Sequence, residues 1–407
     1  MQALADLDLY HLRWEEPAFA AEPLPEFAKA RAKHPWIAKC DAGYVIFEYQ
    51  AIRDLLVQDD KLRPSFDGVV EVMGAQGSPW GRFTEEQMIA MPEKEHTLMR
   101  GTFAAKFTPR YANQLRPLMR ETMERLLKEW VPKGEIDFEE FASYYPVAVT
   151  TQMIGAPQSA IPGLRASMEA VGLGMSMDPK MLPRLDAAVL HLTEFSEELV
   201  AQRRANPKPA DAPADLLDML IEASDEGGIS ARQLVDLLIF LFVAGYDTSK
   251  NVFTYMMALM TEYPEVYERC AEDHEYCRKV VEEALRVFNP SSTFRFSKQD
   301  FVYRNVLIPA DTMIFFTLNV SGRDPTAFER PDAFDPERTI DPTRRQLAFG
   351  MGRHMCLGQY IARAQLQEGI HLVAQHMRAP KLAGAPGWRP FPGVWGMKGL
   401  PIAFTPA

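Results

Sequence analysis

The stretch FGMGRHMCLG, from Phe349 to Gly358, gathers three of the chain's 24 glycines, one of its four cysteines and one of its eight histidines. After Cys356 the sequence LGQYIARAQLQEGIHLVAQHM places Ala362, Leu366, Ile370 and Val373 at helical spacing. Cys356 therefore stands at a helix start, where unpaired backbone N–H groups and the helix dipole favour an anion such as a thiolate. Gly350, Gly352 and Gly358 let the backbone approach a flat partner without side-chain clashes. Arg353 and His354 add donors or positive charge beside it. The plain alternative is a small buried cysteine at a helix start, which this company weighs against. The residues offer a thiolate that is either a metal ligand or a nucleophile, and by themselves they do not choose.

A second group of unusual residues, Gly245, Asp247 and Thr248 in AGYDTS (244–249), falls in the middle of a segment that is apolar nearly all round. Glycine inside a helix costs about 1 kcal/mol against alanine, and a buried aspartate costs more unless it is paired or hydrated. Such rule-breaking residues in one place mark a functional position. The alternative is a helix kink made by a threonine bonding back to a carbonyl one turn earlier.

The elements that must position these groups are mostly helical. Ser230 and Gln233 form an S-x-x-Q capping box, and helical sequence continues to Glu262, before Pro264. At ~1.5 Å per residue this is a rod on the order of 50 Å long, enough to cross a domain. YANQLRPLMRETMERLLKEWV and LDAAVLHLTEFSEELVAQRR read as further helices. Strands are expected only in the first 60 or so residues and between 294 and 318. WIAKC and YVIFE flank the turn Asp41-Ala42-Gly43 as a hairpin, and FRFSKQDFVYRNVLIPADTMIFF divides at Asn305 and at Pro309-Ala310-Asp311. NPKPADAPAD (206–215) reads as a loop inside one domain that spans 1–407. There is no internal repeat.

Composition narrows the function. With 47% hydrophobic and 24% charged residues the 407-residue chain is globular, with a core large enough to enclose a cofactor. The net charge of -11 argues against nucleic acid. The N-terminus lacks a signal-peptide pattern, and the longest apolar run, LLIFLFVAG (Leu237–Gly245), is too short to span a bilayer. A cytoplasmic protein without a membrane anchor is expected. Cys40, Cys270, Cys277 and Cys356 form no C-x-x-C pair, so neither a disulfide framework nor a zinc cluster is expected. Cys270 and Cys277, seven apart, read as packing residues.

FGMGRHMCLG resembles the haem-binding loop of the cytochrome P450 family, F-G-x-G-x-[RH]-x-C-x-G, at Phe349, Gly350, Gly352, His354, Cys356 and Gly358. AGYDTS resembles the family's A-G-x-[DE]-T-[TS], and EALR (283–286) its E-x-x-R. The resemblance covers nearly the whole chain. It implies a mainly α fold with a small β lobe (α+β), a triangular helical domain built on a long central helix, enclosing one haem b. Cys356 would be the axial thiolate ligand of the iron, which favours O–O cleavage. Asp247 and Thr248 would be the catalytic acid–alcohol pair that delivers protons to bound dioxygen, with Ala244 and Gly245 leaving room for it. Phe349 and Gly350 would lie against the porphyrin. His96 and Arg100, four apart in HTLMRGTFAAKFTP and so on one helix face, would meet the haem propionates together with Arg295 and His354. Glu283, Arg286 and Arg338 would form a buried structural network. VFNPSS stands where the family often has a proline pair, which touches pocket shape.

The segments that line the pocket in this family match 66–83, 167–177, the helix near Leu241, 289–294 and 394–398, which are rich in Val, Met, Phe and Trp. Met168, Met175 and Met177 at helical spacing are equally explained as core. The reading is a monooxygenase inserting one atom of O2 into a hydrophobic small molecule of terpenoid, steroid or aromatic type. Electrons would come from NAD(P)H through a ferredoxin reductase and a ferredoxin, since the chain ends too soon after Cys356 for a fused reductase. Arg344, Arg345, Arg353, Lys106 and Arg110 would steer that acidic partner, with Arg353 open between this role and haem contact. A monomer is expected. The alternatives are a peroxide-dependent hydroxylase or isomerase, which often lacks the acid–alcohol pair, and a non-catalytic haem protein, which would want a second axial ligand that the segment 241–250 does not supply.

Overall fold

The Ser230 N–H donates to Gln233 Oε1 (2.8 Å) and the Gln233 N–H to Ser230 Oγ (3.1 Å), closing the expected capping box. The helix it opens runs Ala231–Glu262, 32 residues, and stops at Tyr263 before Pro264. The computed structural model describes residues 2–64, 66–209, 211–339 and 341–407. It resolves into two compact units, each assembled from separate segments of chain.

One unit comprises Phe66–His274, Leu357–Ala385 and Leu400–Ala407. The long helix is its axis, and helix Phe138–Ile154 lies along it. Their close approach has local causes. A Cβ on Gly245 would stand 2.7 Å from Thr150 Oγ1. Phe253 meets Phe138 and Tyr145 at ring-centroid distances of 5.3 and 5.9 Å. Helix Gln359–His376 packs there too, where a Cβ on Gly369 would lie 3.0 Å from both Phe253 and Tyr145. Each fully buried aromatic of this kind is worth about 1.5–3 kcal/mol.

Two sequence expectations are corrected in this unit. The helix expected across YANQLRPLMRETMERLLKEWV is two, Pro109–Gln114 and Arg116–Trp130. Pro117 lacks an N–H to continue a helical ladder, which suits it to the first turn of a new helix, and Leu115 is that helix's N-cap. Strands are also not confined to the two expected regions. Met377–Leu382, Pro401–Pro406 and Glu135–Asp137 form a three-stranded antiparallel sheet in that order. The segment around 206–215 is irregular, as expected, between helices Leu182–Ala205 and Leu216–Asp225; Ala210 lies outside the described residues.

The other unit comprises Met1–Ser65, Glu275–Cys356 and Pro386–Gly399. Its five-stranded sheet has the order Ile37–Cys40, Gly43–Ile46, Met313–Phe316, Thr293–Ser297, Leu62–Arg63. The hairpin around Asp41-Ala42-Gly43 pairs Ile37 with Ile46. Gly43 is required there, because a Cβ would lie 2.4 Å from the Met313 carbonyl oxygen. Phe301–Tyr303 and Val306–Ile308 join through Arg304 and Asn305, at φ 44° and 65°, the primed turn that matches strand twist. A short pair, Gly387–Trp388 with Met397–Lys398, was not expected from the sequence. The core gathers Trp36, Ile46, Ile52, Ile308, Ile314 and Phe316.

Cys270 and Cys277 are buried, as packing residues should be. Glu283 Oε2 and Oε1 accept from Arg286 Nε (2.8 Å) and Nη2 (2.7 Å), and Oε1 also accepts from Arg338 Nε (3.1 Å), so the expected network is present. Arg286 further donates to the carbonyls of Gly322, Pro331 and Ala333 (2.6–2.7 Å), which fixes the segment leading toward Phe349.

Candidate functional site

In the unit that carries Cys356, the loop is shaped by its own backbone. The Cys356 N–H donates to the Phe349 carbonyl (2.9 Å) and the Met355 N–H to that of Gly352 (3.1 Å). Gly350 and Gly352 both sit at φ 67°. A Cβ would meet nothing within 4 Å at Gly350 and only Val57, at 3.4 Å, at Gly352. Left-handed backbone is therefore the reason for both glycines. The Cys356 thiol is exposed, and helix Gln359–His376 starts just beyond, with Gly358 at its N-cap. His354 and Phe349 are half-buried in the same loop.

Arg295 is held by strand Thr293–Ser297, which pairs with Met313–Phe316, and is 5% exposed. Its Nη1 donates to Thr293 Oγ1 (2.9 Å) and to the Phe294 carbonyl (2.8 Å). Burial pushes this guanidinium down to about 10, against a small opposing effect of Asp59. Among the described residues no carboxylate bonds to it. A buried cation supplied only with neutral acceptors suits an anionic ligand group. Arg353, in contrast, has its charge engaged by Asp59, Nη2 to Oδ2 3.2 Å, which favours neither of the two roles left open for it.

In the unit that carries the long helix, Asp247 is buried and Thr248 half-buried. Thr248 Oγ1 donates to the Ala244 carbonyl (3.1 Å). The back-bond expected of a kinking threonine is thus present, and it leaves the hydroxyl oxygen able to accept from another donor. From Leu234 to Met260 the helix has one exposed residue, Ala244, which shares a face with Thr248. The structural reason for glycine at 245 is packing against Thr150, so Ala244 is the small residue on the open face. His96 and Arg100 occupy one short helix, Glu93–Gly101, with His96 fully buried and Arg100 half-buried. Lys106 is engaged with the Ala214 carbonyl (2.7 Å), while Arg110 is exposed.

Sequence reading missed the surroundings of Asp247. Lys250 Nζ lies 3.5 Å from Asp247 Oδ1 and 2.5 Å from Glu139 Oε1, and Lys250 is fully buried. A Cβ on Gly172 would stand 2.2 Å from Asp247 Oδ2. The available signal was a lysine one turn after Asp247 in an apolar stretch. Of the residues expected near substrate, Met168 is core, whereas Met175 and Met177 are half-buried. A cleft of about 770 Å³ is lined by Pro79, Arg82, Val189, Leu190, Leu234 and Asp236 among others, so it includes part of the expected 66–83 segment. Arg82 there bonds both oxygens of Asp236 (2.9 and 3.1 Å).

In the unit that carries Cys356, a haem fits by donor chemistry: there is an exposed thiol in a glycine-shaped loop and a buried guanidinium with neutral partners.

Comparison with known proteins agrees with that geometry. The family model described as cytochrome P450 matches residues 175–379. Luteothin monooxygenase of Streptomyces thioluteus is 30% identical over 98% of this chain and 97% of its own. The cytochrome P450 monooxygenase PikC of Streptomyces venezuelae is 26% identical over 94% of this chain and 91% of its own. The crystal structure of epothilone D-bound cytochrome P450epoK superposes with a TM-score of 0.86 at 23% identity, over 97% of this chain and 99% of that one. At that identity the likeness establishes the fold.

Proposed function

The chain belongs to the cytochrome P450 family as a monooxygenase, and from that premise we propose that it oxygenates an apolar natural product of polyketide type, drawing electrons from NAD(P)H through a ferredoxin reductase and a ferredoxin. One relative supports the substrate class by name: a polyketide biosynthesis cytochrome P450 of Bacillus subtilis is 27% identical over 79% of this chain. That name moves the reading away from the terpenoid, steroid or aromatic classes while keeping its apolar character. The match of one relative along 98% of the chain supports a single functional domain over 1–407.

The observation that carries the reading is the exposed Cys356 thiol in a loop closed by the Phe349–Cys356 hydrogen bond. Haem b bound through such a thiolate would supply the oxygen-activating chemistry. Cys356 would hold the iron, with Phe349 and Gly350 against the ring. Arg295, His96, Arg100 and His354 would bind the two propionate carboxylates by charge-assisted hydrogen bonds. Thr248 Oγ1, its own proton given to the Ala244 carbonyl, would accept from and hold a water in place, and the Asp247 carboxylate would relay protons from solvent to that position. The presence of this pair favours the O2-dependent route over the peroxide-dependent one. The exposed Arg344 and Arg345 would steer an acidic ferredoxin.

A panel of polyketides, compared with terpenoids, steroids and aromatic hydrocarbons, tests the substrate class through the low-to-high-spin shift of the haem. A shift at micromolar concentration only with polyketides is expected. A shift confined to another class overturns the assignment.

A further inference from the structure

Lys250 is a charge buried in the apolar stretch of the long helix. It is 0% exposed and shares that stretch with the buried Val252, Phe253, Met256 and Met257. Burying an ammonium costs several kcal/mol unless its partners are well placed, and a hydrophobic residue of similar volume is often neutral or better. The placement of its partners is what distinguishes it. Nζ is 2.5 Å from Glu139 Oε1 and 3.5 Å from Asp247 Oδ1, so one nitrogen stands between two carboxylates. Of the three side chains only Glu139 reaches solvent, at 17% exposed, against 1% for each of the others. Glu139 sits in the first turn of helix Phe138–Ile154, its N–H capped by Asp137 Oδ1 (2.9 Å).

The remaining neighbours are committed elsewhere. Asp247 is held on its far side by the close approach of Gly172, and Asn251 Nδ2 donates to its carbonyl (2.7 Å) and to Oδ1 (3.3 Å). Tyr246 lies under Lys250 at 5.6 Å, with the charges of Arg165 and Glu169 felt from helix Ile161–Gly172. On helix Gln359–His376, Glu368 is taken by Arg116 and Arg120.

We propose that Glu139 and Lys250 form the route by which protons travel from solvent to Asp247. The proposal rests on the reading of Asp247 as the carboxylate that relays protons to the side of the helix where Thr248 stands. An ammonium donates but cannot accept; after giving a proton it becomes an amine that accepts one. Lys250 gives a proton from Nζ to the Asp247 carboxylate as its flexible stem closes the 3.5 Å separation. The Glu139 carboxylate, which accepts from Lys250 at rest, takes up a proton from a solvent hydronium ion and passes it to the resulting amine, becoming a carboxylate again. One proton has moved inward, Lys250 is an ammonium again, and no electrons have moved.

Lys250→Arg is the decisive variant, because a guanidinium keeps the positive charge and the ion pairs but does not deprotonate. The holoprotein is assayed for NADPH-driven oxygen consumption with a plant-type ferredoxin and its reductase, in H2O and D2O, beside Lys250→Met, Glu139→Gln and Asp247→Asn. Lys250→Arg and Lys250→Met are expected to slow consumption at least about tenfold, within the range of lost acid–base steps, and to enlarge the solvent isotope effect. A Lys250→Arg protein that consumes oxygen like the parent overturns the relay. If Asp247→Asn itself leaves consumption unchanged, the reading of Asp247 fails instead. Thermal unfolding supplies a readout independent of turnover. Glu139→Gln is expected to lower Tm in the parent and not in the Lys250→Met background; equal losses in both would show that the pair is not coupled and would overturn the proposal.

Discussion

The carboxylate of Asp247 fills the space that a side chain on residue 172 would occupy: a Cβ there would stand 2.2 Å from Oδ2. Glycine at 172 is thus a condition for the position of Asp247. Gly172→Ala is expected to displace the carboxylate and cost about 1–3 kcal/mol of stability, as overpacking does. In the holoenzyme, less of the oxygen consumed should reach product and more should leave as hydrogen peroxide. Unfolding in denaturant and a peroxide assay check the two parts separately.

Thr248→Ala removes a hydroxyl whose structural task is one half-exposed bond to the Ala244 carbonyl. The fold should tolerate it, with Tm little changed. Proton delivery should not: product formed per NADPH is expected to fall at least about tenfold, in line with the loss of an acid–base group. Full coupling in this variant would remove Thr248 from the mechanism.

Glu283 joins Arg286, Arg338 and the Asp335 N–H (3.0 Å) in one buried network. Glu283→Ala leaves a 4%-exposed Arg286 without its carboxylate. Breaking one partner from a buried pair costs about 3–5 kcal/mol. Urea unfolding should show that loss, accompanied by reduced haem retention, because the same arginine anchors residues 322–333 on the approach to Phe349.

The four cysteines should separate by reactivity. Burial pushes the Cys40 thiol up to about 12, so it stays protonated and unreactive until the pH approaches that value. Cys270 and Cys277 are buried and Cys356 is exposed. Iodoacetamide at neutral pH, applied to haem-free protein, is expected to modify Cys356 first, and haem added beforehand should protect it. Peptide mass mapping reads the order directly.

Much of this was legible in the sequence because its causes are local. The Ser230–Gln233 capping box, the hairpin at Gly43 and the glycines at 350 and 352 each follow from neighbouring residues. What stayed hidden depends on distance along the chain or on weak local pattern. Glu139 and Lys250 are 111 residues apart, and nothing near either names the other. Strand Met377–Leu382 carries Pro380 and a register shift between Arg378 and Lys381, so it shows no clean alternation. Gly172 gives no sign in the sequence that a carboxylate will fill its empty side.

The central claim is that Cys356 binds haem iron as a thiolate. An absorption spectrum of the reduced protein under carbon monoxide tests it most directly, with Cys356→Ala as the partner sample. The expected result is a Soret band at the long wavelength typical of thiolate-ligated haem, lost in Cys356→Ala. A band at the position typical of histidine-ligated haem in freshly prepared native protein, or a thiolate band that survives in Cys356→Ala, would contradict the account.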